Sequence, residues 1–123
     1  IPLDMSIGGD AVTELDNDGN VEAYPTITLN GPLEDPVVNN LTNSQTMSIS
    51  RTLTSGQYIV VDTKNRTVRY YSSVGASPTN IRSELTGDFI TLTPGSNSIK
   101  LTDTGGDPDG YISVVWRDSY SGI

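Results

Sequence analysis

Short apolar runs separated by turn residues dominate the pattern of the chain. Within the runs, β-branched and aromatic residues alternate with polar ones, and no apolar stripe recurs at helical spacing. The clearest runs lie in Val21–Asn30, Tyr58–Val61, Thr67–Tyr71 and Tyr111–Asp118, and Glu84–Leu92 contains a further predicted strand. Clusters of Gly, Pro and Asn separate them, so the pattern predicts roughly nine short strands and no helix. The predicted fold is an all-β protein, an antiparallel β-sandwich or jelly roll.

The second and third of these runs form the most regular part of the pattern. Tyr58–Val61 and Thr67–Tyr71 are joined by the polar residues Asp62–Arg66, which favours a hairpin in the centre of the domain. Tyr58–Val61 is almost entirely β-branched or aromatic. Such continuous runs are typical of strands that are covered on both faces, and we expect the same here.

The length of 123 residues suits a single domain. Asp4–Gly8 has the composition of a short strand, but Gly9–Asn20 is polar and turn-like. We therefore expect residues 1–20 to be an N-terminal lead-in or linker segment and residues 21–123 to form the sandwich domain. The abrupt start at Ile1 suggests the C-terminal part of a longer protein.

Charge and composition exclude several classes of function. The net charge is −8 and only seven residues are basic, so neither nucleic acid nor an anionic membrane is an expected partner. The chain contains no histidine and no cysteine. This removes His-dependent catalytic triads, Cys nucleophiles and zinc-thiolate sites. We predict that the protein is not an enzyme and binds no cofactor.

Acidic residues in loops are the remaining candidates for metal binding or catalysis. Asp16 and Asp18 open a stretch that resembles a calcium loop, but its glycine comes early and no bidentate Glu closes it. Asp107 and Asp109 lie in a glycine-rich loop, where solvation keeps both carboxylates ionised and unsuited to acid catalysis. We expect no metal site, and a calcium-stabilised sandwich is the third hypothesis.

Tyrosines are the strongest candidates for contact with a partner. Trp116 lies on the apolar face of the last strand and is expected in the core. Tyr70 and Tyr71 point to opposite faces of one strand, so at least one of them is free to contact a partner. The candidate contact residues are Tyr70, Tyr71 and Tyr120. A carbohydrate-binding module that stacks sugars of the host cell wall on these rings is the alternative function.

Four stretches, in order, resemble the C-terminal domain of siphophage distal tail proteins. They are Asn17–Gly31 with its YPTITLNG segment, Gly56–Thr63 with GQYIVVDT, Leu92–Ile99 with LTPGSNSI, and the ending Trp116–Ile123. Together they extend from Asn17 to the C-terminus.

The resemblance implies a galectin-like sandwich at the periphery of a tail-tip hub, in the virion, after assembly in the bacterial cytoplasm. Its implied partners are other tail-tip, baseplate or receptor-binding proteins, which loops such as Ser72–Arg82 and Gly105–Gly110 would contact. The full-length family members form a homo-hexameric ring through another domain, so this chain alone is expected to be monomeric. The galectin sugar site depends on histidine, and the resemblance therefore does not imply sugar binding.

Overall fold

The computed structural model describes residues 3–8, 12–105 and 109–117, and it describes residues 3–8 by their backbone alone. These ranges contain thirteen β-strands and one short 3-10 helix, η1. The strands are β1 (Leu3–Gly8), β2 (Val12–Asn17), β3 (Thr26–Asn30), β4 (Leu33–Glu34), β5 (Val37–Asn40), β6 (Gln45–Ile49), β7 (Thr52–Leu53), β8 (Tyr58–Asp62), β9 (Thr67–Tyr71), β10 (Thr79–Asn80), β11 (Leu85–Gly87), β12 (Gly95–Thr102) and β13 (Tyr111–Trp116), and η1 spans Arg82–Glu84. None of the described residues form a helix of the length and apolarity that a membrane crossing requires.

Two large antiparallel sheets form the sandwich. The six-stranded sheet has the order β1-β13-β3-β8-β9-β10, and the five-stranded sheet has the order β11-β6-β5-β12-β2. A small additional sheet pairs β4 with β7. The predicted all-β antiparallel sandwich is therefore confirmed.

Alternation along each strand places the core between the two sheets. In β3 and β8, Ile27, Leu29, Ile59 and Val61 are fully buried, and the residues between them are half-buried on the outer face. Trp116 is also buried, as predicted, and its indole N–H donates a hydrogen bond to the carbonyl oxygen of Asp16 across the two sheets. Truncating such a side chain to alanine typically costs about 2–5 kcal/mol of stability.

The β8–β9 hairpin forms as predicted, with Asp62 opposite Thr67 and Tyr58 opposite Tyr71. The prediction that β8 is covered on both faces is wrong. Only Ile59 and Val61 are buried, whereas Tyr58 and Val60 are half-buried on the outer face. Aromatic and β-branched residues also stabilise an exposed face through cross-strand pairs, so composition alone does not show that both faces are covered.

The polar segment before Asn20 contains a strand that the sequence pattern did not predict. β2 pairs with β12 along Val12–Asn17, and the backbone of β1 pairs with β13. Leu15 and Asn17 face the core. The expected domain boundary after Asn20 stays a prediction, although both strands before it are hydrogen-bonded into the sheets.

The predicted strand Glu84–Leu92 is shorter than expected, since only Leu85–Gly87 pairs with β6. The residues that follow are irregular, and buried amides hold them in place. Asn97 donates to the carbonyl oxygens of Thr93 and Gly95, and its own side-chain oxygen accepts from the Thr93 N–H. The Leu92–Ile99 motif therefore has a structural role, because it fixes the connection between β11 and β12.

The Gly56–Thr63 motif also has a structural role. The Asp62 carboxylate accepts hydrogen bonds from the backbone N–H groups of Lys64 and Asn65, which closes the β8–β9 turn. The buried Thr63 hydroxyl donates to the Pro25 carbonyl at 2.7 Å. This motif thus fixes the turn and connects it to the residue before β3.

Candidate docking surface

The structure separates the two predicted contact residues of β9. Tyr70 faces inward and packs against the core, and the Arg51 guanidinium lies 4.3 Å from the centre of its ring. Tyr71 lies on the opposite, outer face, half-buried. Tyr120 lies outside the described residues. Of the predicted residues that the structure describes, Tyr71 is therefore the one that faces away from the core.

Tyr71 has a partner that the sequence reasoning missed. Its ring stacks on the ring of Tyr58, with centroids 4.7 Å apart and an angle of 8° between the planes. Stacked aromatic pairs contribute about 0.5–1.5 kcal/mol beyond the area they bury, so each ring holds the other in position. The signal was present in the sequence, because a hairpin that pairs Asp62 with Thr67 also places Tyr58 opposite Tyr71.

The two rings belong to a larger group on the outer face of the six-stranded sheet. We define the tyrosine patch as Tyr58, Val60 and Tyr71. Arg69 lies opposite Val60 on the same face and is exposed. The register continues the row to Asn30 on β3 and then to Tyr111 on β13, whose side chain is 41% exposed. Three tyrosines therefore lie in one row across four neighbouring strands.

The predicted docking loop Ser72–Arg82 is shorter in the structure, because Thr79–Asn80 pair with β9 as β10 and Arg82 lies in η1. The part that remains a loop, residues 72–78, adjoins the patch directly after Tyr71. A turn closes it, since the Ala76 N–H donates to the Ser73 carbonyl and Gly75 adopts a φ of 87°. Val74 lies at its tip and is 90% exposed. An apolar side chain in such a position is available to a partner. The other predicted docking loop, Gly105–Gly110, lies partly outside the described residues.

An ion pair between Arg51 and Glu84 lies on the inner side of β9. Two nitrogens of the Arg51 guanidinium donate to the two carboxylate oxygens of Glu84, each at 2.8 Å. These hydrogen bonds lower the pKa of Glu84 and raise the pKa of Arg51. Because Arg51 also covers Tyr70, the pair connects η1 to the inner face of β9.

The acidic residues do not assemble into a metal site within the described ranges, where no group of three possible ligands occurs. Asp16 and Asp18 are exposed, and Asp107 lies outside the described residues. A groove of about 390 Å³ between β4 and β7 is lined by two carboxylates, Glu34 and Asp103. The Asp103 carboxylate accepts the backbone N–H of Glu34, which gives it a structural role.

A family model matches nearly all of the part of the sequence that contains the four motifs. Residues 18–120 match the model of the family described as "Siphovirus-type tail component, C-terminal domain". The chain belongs to this family. No curated protein matches the sequence. The resemblance drawn from the four motifs is thereby confirmed, and so is the predicted location in the virion tail.

A solved structure shares the fold of this tail component. It is the crystal structure of the SPP1 Dit (gp 19.1) protein, described as a paradigm of the hub adsorption apparatus in phages that infect Gram-positive bacteria. The TM-score is 0.70 at 16% sequence identity. The alignment covers 95% of the tail component and 46% of the Dit chain, so the tail component spans about half the length of that protein.

Proposed function

We propose that the tail component is a non-enzymatic structural module at the periphery of a tail-tip hub. It docks another tail-tip, baseplate or receptor-binding protein through the tyrosine patch and the adjoining loop of residues 72–78. The mechanism is rigid display: the sandwich fixes the patch, and no chemistry takes place on it. The motifs that define the family serve the scaffold, because Asn97, Asp62 and Thr63 all form internal hydrogen bonds.

The stacked pair of Tyr58 and Tyr71 beside Arg69 is the observation that supports this function best. Tyrosine and arginine are enriched among residues that dominate binding energy at protein interfaces. Here the stack has already ordered both rings. Little side-chain entropy would then be lost on binding, which favours a preformed docking site.

The assembly of the whole protein is part of the same proposal. A longer parent protein would form a homo-hexameric ring through a domain outside this chain, and six copies of the module would lie around that ring. The module alone would be monomeric. The relation to the hub protein Dit, of which the alignment covers 46%, supports this arrangement.

Co-purification of the tail tip tests the docking function. The full-length tail component, carrying Tyr58→Ala and Tyr71→Ala together, is co-expressed with the other structural proteins of its tail tip. We expect the hub to form while a neighbouring protein is lost, with affinity reduced by more than about tenfold. Tyr24→Ala is the matched control, since Tyr24 is 51% exposed and precedes the end of β3 that pairs with Asp62, whereas the opposite end pairs with Tyr58. Unchanged retention of every neighbour in the double variant would refute the function.

Carbohydrate binding is the second candidate, and the row from Tyr111 to Tyr71 with Asn30 between the rings favours it. Aromatic rings and an amide on one flat face provide stacking surface and hydrogen bonds for a sugar chain. A glycan array that detects binding, lost in Tyr58→Ala and Tyr111→Ala, would support this function. An array without any specific binding would eliminate it.

A further inference from the structure

One stretch of the tail component has a charge opposite to that of the molecule as a whole. Residues 63–83 contain four of the seven basic residues and none of the fifteen acidic residues. The net charge of −8 therefore divides into +4 for this stretch and −12 for the rest of the chain. A separation of this size gives the surface an electrostatic polarity that orients approaching partners.

The fold brings the four basic residues to one edge of the sandwich. Lys64 and Arg66 lie at the β8–β9 turn, Arg69 lies in β9 opposite Asn80, and Arg82 lies in η1. We call these four residues the basic edge. β10 is the last strand of its sheet, so nothing within the sheet order lies beyond it.

The ring of Phe89 fixes two of these charges. The guanidinium carbons of Arg82 and Arg66 lie 4.8 Å and 5.5 Å from the centre of the ring. Phe89 itself is 8% exposed, so the two arginines cover the rim of the core. Cation–π contacts of this kind hold a guanidinium in place without neutralising its charge.

Three carboxylates that are close in sequence to the basic edge or to Phe89 already have structural partners. Glu84 is paired with Arg51, Asp62 accepts the N–H groups of the β8–β9 turn, and Asp88 accepts the backbone N–H of Thr46. The charge of Arg51 is offset by Glu84, which is why Arg51 is not counted in the basic edge. The four basic residues of the edge have no such carboxylate partner among the described ion pairs.

We propose that the docking partner of the tail component is a protein that presents an acidic surface to the basic edge. This inference rests on the proposed docking function and adds the chemistry of the partner. The basic edge begins at Arg69, next to the tyrosine patch, so one interface can contain an aromatic centre and a charged rim. Charges at such a rim govern the association rate and the choice of partner.

A protein suits this edge better than a long polyanion such as a phosphate polymer. The basic edge consists of only four residues, and the rest of the chain carries a net charge of −12. A polymer longer than the edge would extend over surfaces that repel it. A partner protein confines its negative charge to the contact area.

Nuclear magnetic resonance of the isotope-labelled tail component tests the proposal with defined probes. A glutamate-rich peptide is the acidic probe, a lysine-rich peptide of the same length is its control, and long-chain polyphosphate represents the polymer. At low salt, we expect the acidic peptide to shift the amide signals of residues 64–69 and 79–82, and 0.5 M salt to weaken its binding by about tenfold or more. Shifts elsewhere, no shifts, or tighter binding of polyphosphate at this edge would each overturn the proposal.

Matched charge reversals distinguish a local effect of the basic edge from an effect of the total charge of the protein. Lys64→Glu with Arg69→Glu reverses two of the four charges and brings the net charge of the basic edge to zero, and Lys100→Glu with Arg117→Glu makes the same change of charge elsewhere. Only the first pair is expected to weaken binding of the acidic peptide, by at least about tenfold. Equal losses in both pairs would show a general charge effect and refute a local site. Arg82→Glu is the second variant of the edge.

The same reversals in the tail-tip assembly distinguish the two proposals. If the tyrosine variants lose a neighbouring protein and Lys64→Glu with Arg69→Glu does not, the docking function stands and the acidic partner is refuted. If both sets of variants lose the same neighbour, both proposals hold. If neither set does, both fail.

Discussion

Buried asparagines are the residues that define this domain. Asn17, Asn40 and Asn97 are fully buried, although asparagine is mostly exposed in proteins. Asn40 donates to the Asn97 side-chain oxygen and to the Thr91 carbonyl, and Asn17 donates to the Leu92 carbonyl. These amides satisfy the backbone of the irregular segment that follows β11, in place of a sheet ladder.

Replacement of Asn97 tests this role. Asn97→Ala removes the side-chain partner of the Thr93 N–H and of the Thr93 and Gly95 carbonyls, and it removes one of the two hydrogen bonds of the Asn40 amide. A buried polar group that is left without a partner costs about 1–3 kcal/mol. We expect a loss of about 3 kcal/mol in the free energy of unfolding, measured by urea denaturation. Asn65→Ala is the control, since Asn65 is exposed, and it should cost less than about 1 kcal/mol. Equal stability of both variants would contradict the structural role of Asn97.

At the level of elements, the sequence predicts the strands in which apolar and polar residues alternate. The β8–β9 hairpin follows from two apolar runs around a polar turn, and its register determines that Tyr58 and Tyr71 meet. β2 was missed because Thr13 and Asn17 occupy inward positions that usually hold apolar residues. The length of Glu84–Leu92 was overestimated because Phe89 and Ile90 are buried outside any strand, and Leu92 forms only an isolated bridge with Ala23. Only tertiary contacts reveal that difference.

The contact between η1 and the segment after β6 has a dependence on pH. The folded pKa of Glu84 is lowered by its hydrogen bonds with Arg51. The stabilisation is therefore present above the ordinary pKa of 4.5 and is lost as the pH falls through the lowered folded value. Because both side chains are about 30% exposed, solvent screening limits it to about 0.5 kcal/mol.

Glu84→Gln measures this contribution. We expect the wild-type protein to exceed the variant in stability at pH 7, by about 0.5 kcal/mol, and the difference to vanish near pH 2. Urea midpoints at both pH values give the comparison. Arg51→Gln should show the same change between the two pH values, in addition to a loss that does not depend on pH, since it also removes the contact of Arg51 with Tyr70. A difference that persists unchanged at low pH would mean that packing, and not the charge, carries the effect.

At the scale of the whole molecule, the family and the fold could be predicted, but the proposed docking surface only in part. Tyr71 was predicted as a contact residue, and the register of the hairpin could have added Tyr58. The continuation of the row to Tyr111 and the position of the basic residues at one edge required the sheet order. Strand pairing brings residues that are distant in sequence onto one face, and that information is absent from local patterns. The four motifs indicated the family correctly, since residues 18–120 match its model, and the absence of catalysis stays a prediction.

The most direct measurement is a cryo-electron microscopy map of the complete tail tip that contains this protein. The docking function predicts that Tyr58 and Tyr71 are buried against another tail-tip protein, and the inference of an acidic partner adds carboxylates of that protein near Arg69 and Arg82. A map in which the outer face of β8 and β9 is open to solvent in every copy would contradict it.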